Sequence, residues 1–552
     1  MVGVQTTTQS SRMEQLTAGR KQGFRGLMGA NRYILISSLT AVVGSFLYGT
    51  DQGVLSNLLT GENFASKFPD VYTNPVLKGW VVSCLQLGAW LGALINGPLA
   101  DWISRKYSLM VAAFNQLFTL GSALCGAAQN IVYLFAGRII AGIAVGQISH
   151  VVPLYLAEIS PSEFRGALVS FQQLGITAGI MVSYWLCYGT SFIGGQACDG
   201  DSDAQFGGSV FNPYTDVPDG GCTGQKALAW RLPLILQVIP STFLLIAAPF
   251  LPYSPRWLMS QGREDECRRT ISRLRALPEE HAIVETEWLE IKAAVLFDQR
   301  TAVELHPGRR GFSLGIAKVG IYAPTIFGSL GLNSTTTSLL ATGVLGVVDF
   351  VFTFPAIFFV DRWGRRIFLM AGAIGMMISH FVVAGIVGHY DGNFKVPGGA
   401  AAGWIGVVFI YIFGANFSYS WGPVAWLLAS EIFSPGHRSQ AVSIIISCNY
   451  MMNFVIGQVT PNMLDKLKFG TYIFFGAFCL LMFLWVLLFV PETRYKTLEE
   501  MDVVFGDNSG AVDQERMRTI MAEVGLDQDR EDEGKSVGGK VHIEDNCLDP
   551  EK

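Results

Sequence analysis

Two charged residues stand inside long apolar runs of the chain. Asp51 lies in SFLYGTDQGVLSN, in the run at 33–54, and Arg138 lies in GRIIAGIAVG, in the run at 131–153. A carboxylate in hydrocarbon costs a few kcal/mol, about 2.5–3.5 on insertion scales, and a partner cation or a bound proton offsets that cost. A carboxylate whose pairing with an arginine changes can therefore take up and release one proton. The alternative is that Asp51 is hydrated at the lipid–water boundary.

A second set of charges repeats its own spacing along the chain. Each motif places a carboxylate either four or seven residues before an arginine, and each motif occurs twice. The members are Asp101 with Arg105, Asp361 with Arg365, Glu158 with Arg165, and Glu431 with Arg438. One interpretation is a set of ion pairs that closes one face of the molecule and opens again. The other is that the arginines only fix which side of a membrane each loop occupies.

The composition indicates that these charges lie on membrane-spanning helices. Half of the 552 residues are hydrophobic and 15% are charged, whereas soluble domains carry about 25% charged residues. The mean hydropathy is +0.37. These values exclude a soluble globular protein and a disordered chain. They also leave no basic domain for nucleic acid.

Eleven runs approach the length of about 20 residues that crosses a bilayer. They lie at 33–54, 79–100, 108–127, 131–153, 166–189, 228–251, 336–360, 367–388, 402–430, 438–460 and 470–490. A twelfth candidate, at 312–332, is weaker. Together the runs predict an all-α membrane protein with twelve spans.

Basic residues alternate between the loops and predict the orientation of the chain. Two short arginine-rich loops and the segment 252–311, with ten basic residues, alternate with loops that are poor in them. The positive-inside rule therefore places both termini in the cytoplasm, provided that the twelfth candidate crosses. The loop at 190–227 then faces outward, where its Cys198 and Cys222 could form a disulfide. The other seven cysteines show no metal-binding spacing and are predicted to be packing residues.

The repeated motifs predict an internal duplication, with each copy on the cytoplasmic side of its half. PYSPRWL after the sixth run has a counterpart in PETRYKTLEE after the last. The predicted boundaries are 1–32 for a cytoplasmic tail, 33–251 for the first six-helix bundle, 252–311 for a helical linker, 312–490 for the second bundle, and 491–552 for an acidic cytoplasmic tail. This tail holds 17 acidic and 8 basic residues and is predicted to be disordered.

These motifs resemble those of the sugar porter family of the major facilitator superfamily, and their sequences are most similar to those of fungal monosaccharide transporters. The resemblance covers about 33–505 and is carried by the Asp-Arg loops, GRIIAGIAVG, PLYLAE with the following Arg-Gly, SPRWL, YAPTIF and PETRYKTLEE. It implies a major facilitator fold whose two bundles rock around a central sugar site. It also implies proton coupling at Asp51 and Arg138 and an inner gate at the repeated acids and arginines. The first loop departs from the family, with Trp102 and Ser104 where Arg and Gly are usual, and predicts a weaker gate there.

The resemblance also selects the residues that would bind sugar. They are Gln173, Ile176, Tyr322, Asp349, Trp426, Asn449 and Asn453. Asn449 and Asn453 are four residues apart and share a helical face; hydrogen bonding between helices is the alternative. Asp349 stands where the family more usually has Asn, which suggests an unusual substrate or a second titratable charge.

The segment at 312–332 departs most from the family. It contains Lys318 and Pro324, and the family's glutamine pair and Gly-Ile-Asn before Tyr-Ala-Pro are absent. One interpretation is a short seventh span with Lys318 reaching the inner side. The other is an impaired product of a truncated gene. Without a crossing, the loop at Arg365 would face outward, against the positive-inside rule.

The leading hypothesis is import of a monosaccharide, hexose or pentose, together with a proton across the plasma membrane. The alternatives are a passive sugar facilitator and a sugar sensor that does not transport. No nucleophile–base pair, phosphate loop or metal cluster is recognisable, so we expect neither an enzyme nor a cofactor. The expected partners are the sugar, protons and the lipid bilayer, and the chain is expected to be monomeric.

Overall fold

The computed structural model describes residues 32–304, 335–492 and 519–523, apart from gaps at 60–61, 69, 72–73, 115–116, 162–164, 195–225, 391–396 and 432–437. All regular elements in these ranges are helical. The helices of the first half are α1 (Arg32–Leu58), α2 (Glu62–Lys67), α3 (Pro75–Ile103), α4 (Arg105–Phe114), α5 (Leu117–Gly126), α6 (Ile131–Ile159), α7 (Arg165–Thr190), α8 (Leu228–Leu236) and α9 (Val238–Ala247). Three helices follow, α10 (Pro255–Ser260), α11 (Glu264–Arg275) and α12 (Ala282–Glu304). The second half holds α13 (Thr335–Trp363), α14 (Arg365–Tyr390), α15 (Gly399–Tyr419), α16 (Trp421–Glu431), α17 (Arg438–Lys466) and α18 (Phe469–Phe489).

Within the described ranges, ten helices are long and apolar enough to cross a membrane. They coincide with ten of the eleven predicted runs. The remaining run, at 108–127, falls on α4 and α5, which flank the gap at 115–116. The twelfth candidate, at 312–332, lies outside the described residues.

Glycines set how closely the helices of the first half approach one another. A side chain at Gly146 of α6 would come within 2.0 Å of the Ala89 carbonyl oxygen on α3, and one at Gly142 within 2.2 Å of the Leu85 carbonyl. Small residues on one helical face allow two backbones to touch inside a membrane. The motif GRIIAGIAVG is therefore a packing surface, and it places Arg138 deep between the helices.

Two seams join the halves of the molecule. In the first, α3 packs along α17, and in the second, α7 packs along α13. In the order of the predicted spans, the first seam joins the second span to the eleventh, and the second seam joins the fifth span to the eighth. The duplication relates the second span to the eighth and the fifth to the eleventh, so each seam is the equivalent of the other. The duplication inferred from the motifs thus appears as a two-fold arrangement of helices.

Helices α10 to α12 form a separate apolar cluster beside the ends of α3 and α6. Trp257, Leu258, Cys267 and Ile271 are buried in it. The Trp257 indole Nε1 donates to the Asp101 carbonyl at 3.0 Å, and Arg275 Nη1 donates to the Ile159 carbonyl at 3.1 Å. Burial raises the pKa of the Cys267 thiol to about 12, so this thiol is unreactive at neutral pH.

One part of the C-terminal tail differs from the predicted disorder. Residues 519–523 are helical, and Ile520 is buried against Ala293 of α12, with Met521 packed beside it. These two apolar side chains stand in a tail that is rich in charged residues. Their contact with α12 is long-range, which composition alone does not reveal.

Candidate functional site

The buried acid and arginine predicted from the sequence lie next to each other. Arg138 Nη1 on α6 is 3.5 Å from Asp51 Oδ2 on α1, and their side chains are 3% and 5% exposed. This distance is longer than a hydrogen bond. Within the described part of the chain, Asp51 Oδ2 has no hydrogen-bond partner. The burial argues against a hydrated Asp51, and the carboxylate faces its arginine.

An aromatic pair lies one helical turn from Asp51 and crosses between the halves. Tyr48 on α1 meets Tyr450 on α17 edge to face, with ring centroids 5.9 Å apart. Gln52 Nε2 donates to the Tyr48 hydroxyl at 2.6 Å, and the Tyr450 hydroxyl donates to Ser149 Oγ at 2.5 Å. Both tyrosines are buried. The acid–arginine pair therefore lies beside a contact that joins α1, α6 and α17.

At the inner end of the first half, one arginine binds two acids. Arg105 Nη1 is 3.0 Å from Asp101 Oδ1, and Arg105 Nη2 is 3.1 Å from Glu158 Oε1. Arg105 Nη1 also donates to the Ala100 carbonyl at 3.2 Å. The guanidinium thus ties the ends of α3 and α6 to the start of α4.

The second half repeats this arrangement and adds a cap. Arg365 Nη2 is 3.2 Å from Asp361 Oδ1 and 3.1 Å from Glu431 Oε1. Glu492, in the PETR motif, accepts hydrogen bonds from the backbone N–H groups of Arg365 at 2.9 Å and Arg366 at 3.1 Å. A carboxylate at a helix N-terminus satisfies free N–H groups and complements the helix dipole. Glu492 therefore fixes the start of α14, a role that the sequence reasoning missed although the motif was recognised.

The first half lacks the glycine and the glutamate cap that the second half has before and at the start of α14. Ser104, between α3 and α4, has φ 89° and ψ 157°, and Gly364 occupies the matching place in the second half with φ 92°. Only glycine adopts this backbone region without strain. Pro252-Tyr253 stands where the second half has Pro491-Glu492, and the Tyr253 ring stacks on Trp257 with Lys106 4.9 Å above it. The backbone at Ser104 is therefore strained, whereas the matching position in the second half is a glycine.

Ser104→Gly is expected to stabilise the protein, because glycine removes strain of about 1–3 kcal/mol at this conformation. The Ser104 hydroxyl accepts from the Tyr107 N–H at 3.2 Å, and losing such a cap to glycine costs only a few tenths of a kcal/mol. Thermal unfolding in detergent measures the effect, with Ser108→Gly inside α4 as the control that should destabilise. A lower melting temperature for Ser104→Gly would show that its backbone is not strained.

Among the described residues, the ion pairs of the two arginines lie within each half, whereas hydrogen bonds cross between the halves. Asp361 Oδ2 accepts from the Ala167 N–H of α7 at 3.0 Å, and Arg165, the first residue of α7, attracts the same carboxylate. At the other seam, Ser439 Oγ donates to the Gly97 carbonyl at 3.0 Å and also bonds the Asp101 carboxylate. Glu158 pairs with Arg105 rather than with Arg165, so the seven-residue spacing does not mark an ion pair in the first half.

The predicted sugar-binding residues are spread over several interior positions. Gln173 on α7 is buried, and a side chain at Gly422 of α16 would come within 2.9 Å of its Nε2. One turn further along α7, the Thr177 hydroxyl is 3.3 Å from that of Thr353 on α13. Gln173 therefore lies where α7 meets the second half.

The other predicted residues have varied surroundings. Ile176 is buried, and its carbonyl lies close to Gly49 of α1. Asp349 Oδ1 accepts from the Ser418 hydroxyl of α15 at 3.0 Å. Trp426 packs at the edge of the main core, next to the break between α15 and α16 at Ser420.

Three further predicted residues complete the set. Asn453 is buried and Asn449 is half-buried on the same helix, α17. Tyr322 lies outside the described residues, as do Cys198 and Cys222. Arg438 begins α17, but its side chain is outside the described part of the chain.

A two-fold helical membrane protein with a buried acid–arginine pair has an architecture typical of secondary transporters. A sequence model of the family described as "Sugar (and other) transporter" matches residues 37–505. The chain belongs to this family, the sugar porters of the major facilitator superfamily. Its fold and family are those of transporters and not of enzymes.

Individual relatives agree with this assignment. The chain is 31% identical over 505 residues to a probable quinate permease of Aspergillus clavatus, covering 85% of this chain and 87% of the relative. It is 31% identical over 506 residues to the sugar transport protein MST7 of Oryza sativa subsp. japonica, covering 86% and 92%. Among solved structures it resembles the proton:xylose symporter XylE bound to 6-bromo-6-deoxy-D-glucose, with 26% identity, a TM-score of 0.66, and coverage of 86% of this chain and 99% of XylE.

Proposed function

We propose that this chain imports a monosaccharide, a hexose or a pentose, together with a proton by alternating access. The observation that carries the proposal is the pair formed by Asp51 and Arg138, buried between α1 and α6 and separated by 3.5 Å. A lone charge at this depth is costly, and the two opposite charges compensate each other. The similarity to XylE, which is named as a proton:xylose symporter, supports proton coupling.

The pair can couple the proton to the conformational change of the protein. When α1 and α6 shift apart, Arg138 no longer compensates the Asp51 carboxylate, and a proton on Oδ2 takes over that role. When the helices return, the guanidinium displaces the proton. One proton moving down 100 mV supplies about 2.3 kcal/mol, enough for roughly 50-fold accumulation of the sugar.

The inner face acts as a gate in this proposal. We call each arginine with its two acids a triad: Arg105 with Asp101 and Glu158, and Arg365 with Asp361 and Glu431. The arginine of each triad keeps the helix ends of its half together. The hydrogen bonds of Asp361 and Ser439 to the opposite half are the contacts that separate when the interior opens. Asp101, Glu158, Glu431, Arg165 and Arg438 complete this gate.

The same contacts support a membrane topology. Arg275 binds the inner end of α6, so α11 lies on the same side as both triads. Helix α13 ends at its own triad and therefore begins on the opposite side. We propose cytoplasmic termini, the domain boundaries predicted from sequence, and a monomer in the plasma membrane.

Gln173→Ala is expected to raise the KM for sugar about tenfold with a smaller change in the maximal rate, because a lost hydrogen bond of binding costs about 1–1.5 kcal/mol. The buried Gln173 amide faces α16, and within the described residues its Oε1 has no hydrogen-bond partner. Initial rates of uptake at several sugar concentrations measure both constants. Gln458→Ala, which removes the bond to Ser83 on the other seam, serves as the control. Equal effects of the two variants on the KM would show that Gln173 does not bind the sugar.

Quinate is the second candidate substrate, because the Aspergillus relative is named as a probable quinate permease. Radiolabelled D-xylose, D-glucose and quinate should be offered to cells that lack their own transporters and express this chain. Saturable sugar uptake that unlabelled quinate does not inhibit supports the monosaccharide assignment. Uptake of quinate without uptake of either sugar would identify quinate as the substrate. Binding without uptake would favour a sensor or an impaired transporter.

A further inference from the structure

A buried histidine joins the two halves of the protein. His150 lies on α6, nine residues before its inner end, and is completely buried. Its Nε2 is 2.8 Å from the backbone carbonyl oxygen of Ser439, in the first turn of α17. Its Nδ1 is 2.8 Å from Asn96 Nδ2 on α3. The imidazole therefore bridges α3 in the first half to α17 in the second.

The hydrogen bonds around Asn96 determine which nitrogen of His150 carries the proton. Asn96 Oδ1 accepts from the Ser108 hydroxyl at 2.5 Å, and Asn96 Nδ2 donates to the Gln147 carbonyl at 3.1 Å. The amide orientation is thus fixed from two sides, and its second N–H points at His150 Nδ1. Nδ1 must accept this bond, so the proton of the neutral ring is on Nε2. Nε2 then donates to the Ser439 carbonyl, which can only accept.

The resulting chain of hydrogen bonds has one direction and ends on α3, the helix that carries Asn96. Ser108 donates to Asn96, Asn96 to His150, and His150 to Ser439, and the Ser439 hydroxyl donates to the Gly97 carbonyl beside Asn96. All four side chains are buried. A buried network in which every member is satisfied fixes one arrangement of its helices, and a partly satisfied one is costly.

We propose that His150 is a positioning residue that holds the inner gate closed through its neutral Nε2–H form. The bond to Ser439 pins the first turn of α17 to the first half, next to the Arg105 triad. Opening of the inner face must break this bond, because α3 and α6 belong to one half and α17 to the other. His150 thereby shifts the balance between closed and open inner faces without touching the substrate or the proton.

Two substitutions separate the bond between the halves from local packing. His150→Gln can place an amide N–H near the position of Nε2 and keep the bond to Ser439. His150→Asn has a shorter amide that reaches the Nδ1 position, so it keeps the contact with Asn96 and loses the one with Ser439. Both replacements are polar, uncharged and smaller than histidine.

The test measures access to the inner seam in the full-length protein. Ser443→Cys places a thiol opposite Gly97, where Ser443 Oγ lies 2.6 Å from the position of a side chain at that glycine. The rate at which a membrane-permeant maleimide alkylates this thiol reports opening, and the same protein without Ser443→Cys gives the background of the native cysteines. Sugar and a proton gradient are not needed, so the result is independent of the proposed transport function.

We expect His150→Asn to increase the alkylation rate about tenfold, as the loss of one buried hydrogen bond predicts, and His150→Gln to stay within about threefold of the parent. Ser439→Ala removes the hydroxyl bonds to the Gly97 carbonyl and the Asp101 carboxylate and should also speed alkylation, which tests the same seam without altering the histidine. Equal rates for the Asn and Gln variants, or an unchanged rate for Asn, would overturn the proposal. Thermal melting of each variant confirms that the compared proteins are folded.

Discussion

Asp51→Asn is expected to abolish accumulation of sugar while leaving sugar exchange intact. Asparagine matches aspartate in size but binds no proton, so inward movement of sugar is no longer driven by the proton gradient. The accumulation ratio should fall from roughly 50 at 100 mV to about 1. Exchange of labelled for unlabelled sugar needs no net proton movement and should continue.

Proteoliposomes with an imposed pH gradient measure both quantities on the same preparation. Asp70→Asn is the matched control, since Asp70 is exposed and its substitution removes one carboxylate without touching the buried pair. Retention of uphill uptake by Asp51→Asn would contradict proton coupling at this residue. A wild-type protein that only equilibrates sugar would instead identify a passive facilitator.

Arg365→Gln is expected to lower sugar uptake about 100-fold, the second large effect. The Arg365 guanidinium neutralises Asp361 and Glu431, whose side chains are 11% and 2% exposed. Removing one partner of a buried ionic group leaves uncompensated charge and costs about 3–5 kcal/mol. Because the same Asp361 carboxylate accepts from Ala167 across the seam, the loss also weakens the closed inner face.

Arg362→Gln is the control for this substitution, because Arg362 is exposed three residues earlier and exposed pairs contribute about 0–1 kcal/mol. Uptake is compared at equal amounts of protein that elutes as a single species in size-exclusion chromatography. Arg365→Lys restores the charge but not the two-pronged geometry and should recover part of the activity. Uptake by Arg365→Gln within about threefold of the wild type would show that the ion pairs of Arg365 are not needed for gating.

The sequence predicts the membrane fold well because each span is a local property. Length and apolarity alone located ten helices, and the duplication of motifs indicated the family to which the chain belongs. The proximity of Asp51 and Arg138 could also be expected, since a charge in hydrocarbon needs a partner and few are available within the spans.

Contacts between distant residues could not be read from spacing. Arg105 binds Glu158, 53 residues away, although the repeated motif placed that acid seven residues before Arg165. Glu492 caps α14 from 127 residues away, and His150 meets Ser439 across 289. A histidine in an apolar run gives no sign of its partner, because the partner here is a backbone carbonyl.

Sugar uptake recorded together with pH tests the central claim most directly. Purified protein in liposomes, without any imposed gradient and in weakly buffered medium, receives a pulse of D-xylose or D-glucose. The account predicts that the external medium becomes alkaline as sugar enters, with one proton taken up per sugar molecule, and that Asp51→Asn shows no alkalinisation. Sugar entry by the wild-type protein without a change in external pH would contradict it.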